Sequence, residues 1–170
     1  MMPGLRDRTR APSAEKVRAW LDRVPDPEIP VLSVNDLGIV RGVRVDEGRV
    51  TVSVTPTYTG CPATEVIESL IERELKRRGV EEVGIERLLS PPWTTDWLSD
   101  AARSKLEKYG IAPPRAGGGK RGLTGLAIEV SCPRCSSSRT SRVSEFGSTP
   151  CKASFRCDEC LEPFEYFKCI

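Results

Sequence analysis

Apolar positions along the first two thirds of the chain change period several times, and each change marks an element. Ser13 is placed to cap a first helix that carries Ala14, Val17, Leu21 and Val24 on one face. Pro25 stops it, and Asp26-Pro27-Glu28-Ile29-Pro30 must be a stiff loop, because its alternating prolines have no N–H to give to a ladder. The period then falls to two. Val43 and Val45 alternate on one arm of a hairpin, Asp46-Glu47-Gly48 turns, and Val50, Val52 and Val54 alternate on the other. A loop from Thr55 through Thr57 to Gly60 leads into Cys61-Pro62, where the period becomes helical, with Val66, Ile67, Leu70, Ile71 and Leu75 running to Gly79. Proline suits a first helical position, so Pro62 as N1 would make Cys61 the N-cap. A third strand from Val83 to Leu89 completes a β-β-α-β core, and Pro91-Pro92 breaks it. Thr95 is expected to cap a last helix with Leu98, Ala102, Leu106 and Tyr109 as its buried stripe and Gly110 at its end.

Beyond that helix the composition changes. The order read from the pattern is a disordered tail over 1–12, an α+β domain over 13–110, a Pro/Gly/basic linker over 111–125, and a second small domain over 126–170. The second domain holds Cys132-Pro133-Arg134-Cys135 and Cys157-Asp158-Glu159-Cys160. Two C-x-x-C turns supply four thiolates, the ligand set of a tetrahedral structural Zn²⁺ site, separated by enough chain for a strand, a loop and a returning strand. So short a segment cannot hold itself together by core burial alone. A structural zinc contributes roughly 10–16 kcal/mol of binding energy that becomes folding energy. The expected zinc ligands are Cys132, Cys135, Cys157 and Cys160, and the flexible linker predicts that the ribbon behaves independently of the first domain. Cys151 and Cys169 are left over: either could replace a knuckle cysteine, or both could be packing residues, and packing is the expectation because the doubled motif is already complete.

Charge and composition restrict function. The formal net charge is +2. In the ribbon Arg134, Arg139, Arg142, Lys152, Arg156 and Lys168 are balanced by Glu129, Glu145, Asp158, Glu159, Glu162 and Glu165, so it lacks the basic footprint of a nucleic-acid binder. The first residues contain no apolar run and no segment approaches membrane-spanning length, so a cytoplasmic protein is expected, bound neither to nucleic acid nor to a membrane. In that compartment the seven cysteines read as metal ligands or thiols before disulfides. There is no histidine, which excludes a Ser-His-Asp triad, a Cys-His thiol protease and a histidine-containing di-iron site. Gly117-Gly118-Gly119-Lys120 is followed by Arg121 where a phosphate loop needs Ser or Thr, and no dinucleotide fingerprint occurs. No catalytic machinery is visible.

Cys61 carries the remaining chemical signal. A thiol at a helix N-terminus faces unpaired N–H groups and the positive end of the dipole, both of which favour the thiolate. Asp26, Glu28 and Asp36 lie in loops that could converge on it. Against this, a single cysteine is often a small buried apolar residue, and Asp36 could simply cap a turn.

Asp26-Pro27-Glu28-Ile29-Pro30, Val34-Asn35-Asp36-Leu37-Gly38-Ile39-Val40 and Thr57-Tyr58-Thr59-Gly60-Cys61-Pro62 resemble the signature stretches of the SufT-like family, small α+β domains associated with iron–sulfur assembly. Ser90 to Trp97, Glu145 to Lys152 and Glu162 to Cys169 extend the likeness to the ribbon-bearing branch of that family found in phenylacetate degradation. The resemblance implies an accessory or maturation role toward the oxygenase or reductase subunits of phenylacetyl-CoA epoxidase, alongside iron–sulfur assembly proteins. Cys61 would transiently hold iron or an iron–sulfur cluster, with Asp26, Glu28, Asp36 and Thr57 in support, and the ribbon would dock the partner. One cysteine cannot hold a [2Fe–2S] cluster, which wants four protein ligands, so any cluster there is shared across a homodimer, completed by a partner, or absent. The rival reading is a structural subunit that scaffolds the oxygenase, with Cys61 buried.

Overall fold

Ser13 begins the first helix as the pattern requires: its hydroxyl accepts the Lys16 N–H at 3.2 Å, and α1 (Ala14–Leu21) buries Val17 and Leu21. The structure is a computed structural model that describes residues 11–57, 61–115 and 129–168; most of the expected tail and linker, and Cys169, lie outside the described residues. After the proline-rich loop, β1 (Val40–Asp46) and β2 (Arg49–Val54) form the hairpin, with Val43 opposite Val52 and Val45 opposite Val50. Its turn takes two successive left-handed residues, Glu47 at φ 47° and Gly48 at φ 91°, the backbone twist that matches a right-twisted hairpin. Val50, Val52 and Val54 are buried, and α2 (Ala63–Arg77) contributes Ile67, Ile71 and Leu75 to the same core. β3 (Glu82–Arg87) then pairs parallel with β2, giving the sheet order β1-β2-β3. This is the expected β-β-α-β core.

The segment after the sheet departs from the pattern. Thr95 caps nothing: it is fully buried in a short 3₁₀ turn, Thr95–Trp97, capped by the Thr94 hydroxyl. The chain becomes extended at Leu98, and Ser99 starts α3 (Asp100–Tyr109) by accepting the Ala102 N–H at 3.0 Å. Ala102 and Leu106 stay inside, whereas Tyr109 is 57% exposed, because it falls on the last turn of the helix, beyond the core. Gly110 closes α3 at φ 92°. Trp93 locks the segment down: its Nε1–H donates to the Leu37 carbonyl at 2.8 Å. Gly38, at φ 68°, lets Trp97 approach closely, since a Cβ there would lie 2.8 Å from the Trp97 carbonyl oxygen.

The expected boundary moves as well. Ile111–Ala112, assigned from sequence to the linker, form β4, which pairs parallel with β7 (Pro163–Phe167). With β5 (Thr140–Ser144) and β6 (Lys152–Cys157) they make a second sheet in the order β4-β7-β6-β5. The ribbon sheet is thus edged by a strand that emerges directly from α3. Successive side chains of a strand point to opposite faces, and the end of β7 uses this. Tyr166 packs with Phe155 at 5.7 Å in the ribbon's own small core, and Phe167 enters the main core edge-on to Trp93 at 6.1 Å. Cys151 belongs to the main core too. The ribbon is therefore docked on the first domain through a shared core, and the expectation of independent behaviour is corrected: burial of an aromatic of this size contributes about 1.5–3 kcal/mol.

Phe167→Ala should accordingly cost about 3–5 kcal/mol and lower the stability of both parts together. Tryptophan fluorescence during urea unfolding reports the first domain and metal release reports the ribbon. An unchanged fluorescence midpoint in the variant would show that the docking is energetically idle.

Candidate functional site

Two groups of thiols are assembled, one closed and one open. The closed group comes from the two knuckles. Each C-x-x-C turn is followed by a residue in left-handed backbone, Ser136 and Leu161, both at φ 61°. Ser136 N–H bonds back to the Cys132 carbonyl at 2.9 Å, and Cys157 N–H bonds to the Glu162 carbonyl at 2.9 Å. These turns bring the Cys132, Cys135, Cys157 and Cys160 sulfurs within 4.8 Å of one another, with Cys132 to Cys160 at 3.7 Å and Cys135 to Cys157 at 3.6 Å. A tetrahedral ion with metal–sulfur bonds of about 2.3 Å needs sulfur–sulfur edges of about 3.8 Å. The donor set fits, and the separations are far from the roughly 2.05 Å of a disulfide. As bare thiols the four are mismatched. The Cys160 N–H, then the Glu159 N–H, hold Cys157 down to about 7. The Ser137 N–H favours the Cys135 thiolate, but desolvation and the neighbouring thiols push Cys135 up to about 12. A bound cation removes that conflict by making all four thiolates ligands.

The open group lies in a cleft between the sheet end, the start of α2 and the ribbon. Asp26 shapes one wall: its Oδ1 accepts the N–H groups of both Glu28 and Ile29 at 2.8 Å, which fixes the proline-rich loop as an Asx-type turn. Burial pushes the Asp26 carboxyl above its usual range against those two donors. Glu28 and Thr57 also line the cleft, as does Cys61. The helix proper begins at Ala63 with Pro62 in the cap position, so Cys61 stands just outside the first turn. The expectation of a thiolate favoured by the helix end is corrected. Burial pushes the Cys61 thiol up, the Ala63 N–H opposes it, and the Glu28 and Asp26 carboxylates push it further.

Asp36 is not in the cleft. Its carboxylate accepts the Ser33 N–H at 2.9 Å and the Lys105 ammonium at 2.6 Å, and its own N–H donates to the Ser33 hydroxyl. Burial acts to raise its pKa, but Lys105 and Ser33 hold the carboxyl below the usual range. It joins the loop to α3. The residue that the sequence reading did not place is Cys151. Expected to be inert packing, it instead lines the cleft from the ribbon side, its Sγ 3.5 Å from Glu28 Oε2 and 3.1 Å from Thr149 Oγ1. Burial pushes its thiol up to about 11 against the Thr149 hydroxyl, with Glu28 adding to the rise. The only signal in the sequence was a cysteine outside the doubled motif; spacing alone could not bring it to Glu28.

An α+β domain with a cysteine at the foot of its long helix, joined to a four-cysteine ribbon, defines an iron–sulfur assembly domain with a zinc ribbon. Family models bear this out: residues 14–86 match the iron-sulfur cluster assembly protein family and residues 116–168 the PaaD zinc beta ribbon domain. The chain belongs to the PaaD family of phenylacetyl-CoA epoxidase subunits: an Escherichia coli protein provisionally named as one of the subunits of 1,2-phenylacetyl-CoA epoxidase is 49% identical over 94% of each chain. An Fe-S protein maturation auxiliary factor of Porphyromonas gingivalis is 38% identical over 54% of this chain and 89% of its own. In structure, a DUF59 domain of Bacillus anthracis superposes with a TM-score of 0.52 at 30% identity, covering 55% of this chain and 90% of that one.

Two results are expected. Elemental analysis should find one tightly held metal ion in the ribbon per chain, lost in Cys157→Ser; its retention there would displace Cys157 from the ligand set. Both Cys61 and Cys151 should alkylate slowly at neutral pH, because the reactive thiolate is scarce when the pKa is raised. Glu28→Gln, by removing an anion from beside both, should speed both at fixed pH. Mass-spectrometric rates showing Cys61 faster than a free cysteine near pH 7 would contradict this.

Proposed function

We propose that the protein is an accessory maturation factor for a phenylacetyl-CoA epoxidase, receiving iron or an iron–sulfur fragment as cargo and passing it to an oxygenase or reductase subunit. The observation that carries this reading is the cleft at Cys61, where a thiol and the Glu28 carboxylate face an open space bounded by a rigid loop. The names of the relatives agree, one an epoxidase subunit and others maturation factors for Fe–S proteins. We further assign zinc to the ribbon. A metal enclosed by four thiolates has no open position and serves structure, so cargo must be handled elsewhere. The ribbon then holds the second wall of the cleft and presents a surface to the partner. Among the described residues no helix is long and apolar enough to cross a membrane, which accords with a cytoplasmic site of action.

The roles follow from the residues. Asp26 fixes the loop, Glu28 supplies an oxygen donor, Thr57 borders the opening, and Cys61 offers the soft ligand. Asp36 acts on stability alone.

The test is to produce the oxygenase and reductase with wild-type protein, with Cys61→Ser, and with neither. Cys61→Ser should keep its fold and its zinc, yet leave partner iron at the level found without the protein. Full iron content with a well-folded Cys61→Ser would replace this reading with that of a scaffold.

A further inference from the structure

We propose that the ribbon completes the cargo site: Cys151 joins Cys61 and Glu28 as ligands for a single ferrous ion at the junction of the two domains. The inference rests on the maturation reading and adds a ligand, a stoichiometry and a kind of cargo to it. Three separate parts of the chain meet at the cleft. The proline-rich loop brings Glu28, the segment before α2 brings Cys61, and the turn before β6 brings Cys151. Cys151 is held in place by its backbone, whose carbonyl accepts the Lys168 N–H at 3.0 Å, and its sulfur already contacts Glu28 at 3.5 Å. Phe167 lines the cleft beside them. The neighbouring buried cation is otherwise engaged, since Lys152 Nζ lies 2.9 Å from Glu165. Glu68, a further carboxylate of the lining, is taken by Arg87 at 2.7 Å.

The donor set and the space select the cargo. Two thiolates and one carboxylate suit a divalent transition ion of intermediate softness, such as Fe²⁺, rather than the all-oxygen shell that Mg²⁺ or Ca²⁺ prefers. The cavity is about 20 Å³, room for a water-sized species and too small for an iron–sulfur cluster. Three protein ligands leave a position open to solvent or to a partner's ligand, as transfer requires and as the ribbon's closed set does not permit. Burial and the carboxylates now keep both thiols protonated. A dication reverses that balance, so its uptake releases one proton from each thiol.

The experiment uses the full chain, zinc-loaded and carrying Cys169→Ala, titrated without oxygen with Co²⁺ as optical probe and then with Fe²⁺. The wild-type cleft should take one further ion per chain, with a sulfur-to-cobalt absorption band and the ribbon zinc retained. Cys61→Ser, Cys151→Ser and Glu28→Gln should each weaken that binding on the order of tenfold or more. Cys151→Ala provides a second variant if serine disturbs the core, and zinc content with circular dichroism verifies each fold. Absence of a second ion, or wild-type affinity in both folded Cys151 variants, overturns the assignment. If that happens while Cys61→Ser still leaves the partner iron-poor, the maturation reading stands without Cys151. If the ion binds as described while Cys61→Ser matures the partner fully, the site stands and the maturation role falls.

Discussion

The contact between Phe167 and Trp93 is the constraint on which the rest of this molecule depends. Trp93 is pinned from the other side by its bond to the Leu37 carbonyl, so it cannot shift to accommodate the ribbon. The ribbon must instead bring Phe167 to it, and it does so through a strand whose preceding residue, Tyr166, faces the ribbon's own core. Alternation along one β-strand thus couples two hydrophobic cores that the chain separates by a long Gly-rich segment. Because Cys151 and Phe167 lie on adjacent paired strands, whatever places Phe167 also places Cys151 against Glu28.

That docking sets up an electrostatic conflict. Asp26 and Glu28 are held together by one proline-rich turn, and two thiols are brought to the same partly dry cleft. No group there gains from ionising: the raised values of Asp26, Cys61 and Cys151 all begin with desolvation. Buried anionic groups without a paired cation are expensive and are a recurrent property of functional sites. Here the expense falls on residues that do little for the hydrophobic core. By contrast Asp36, in a loop of similar composition, is fully committed to Ser33 and Lys105, and its carboxyl is lowered.

Much of the fold was legible because it rests on local signals. Ser13, the Glu47-Gly48 turn, the valine alternation and Gly110 each act through their own backbone, and each is where the pattern placed it. The doubled C-x-x-C was legible for the same reason, since four ligands in two turns define their own geometry. What the pattern missed was non-local. Ser99 took the capping role from Thr95 because Trp93 and Trp97 are drawn down onto Leu37 and Gly38, which delays the helix. Ile111–Ala112 read as linker until β7 offered them a ladder. Cys61 read as an activated thiol because a helix start argues for one, whereas the neighbouring carboxylates and burial are properties of the assembled cleft.

Strand β6 gives the ribbon a mechanical meaning. Its last residue, Cys157, belongs to the four-sulfur centre, and the residue just before its first, Cys151, stands in the cleft. At about 3.3 Å per residue, this one extended segment is a strut of roughly 20 Å anchored by metal at one end and presenting a thiol at the other. A strut transmits position only while its anchor holds. The occupancy of the ribbon centre is therefore written into the shape of the distant cleft, and a chain that has not yet acquired its structural ion cannot present a finished wall opposite Cys61.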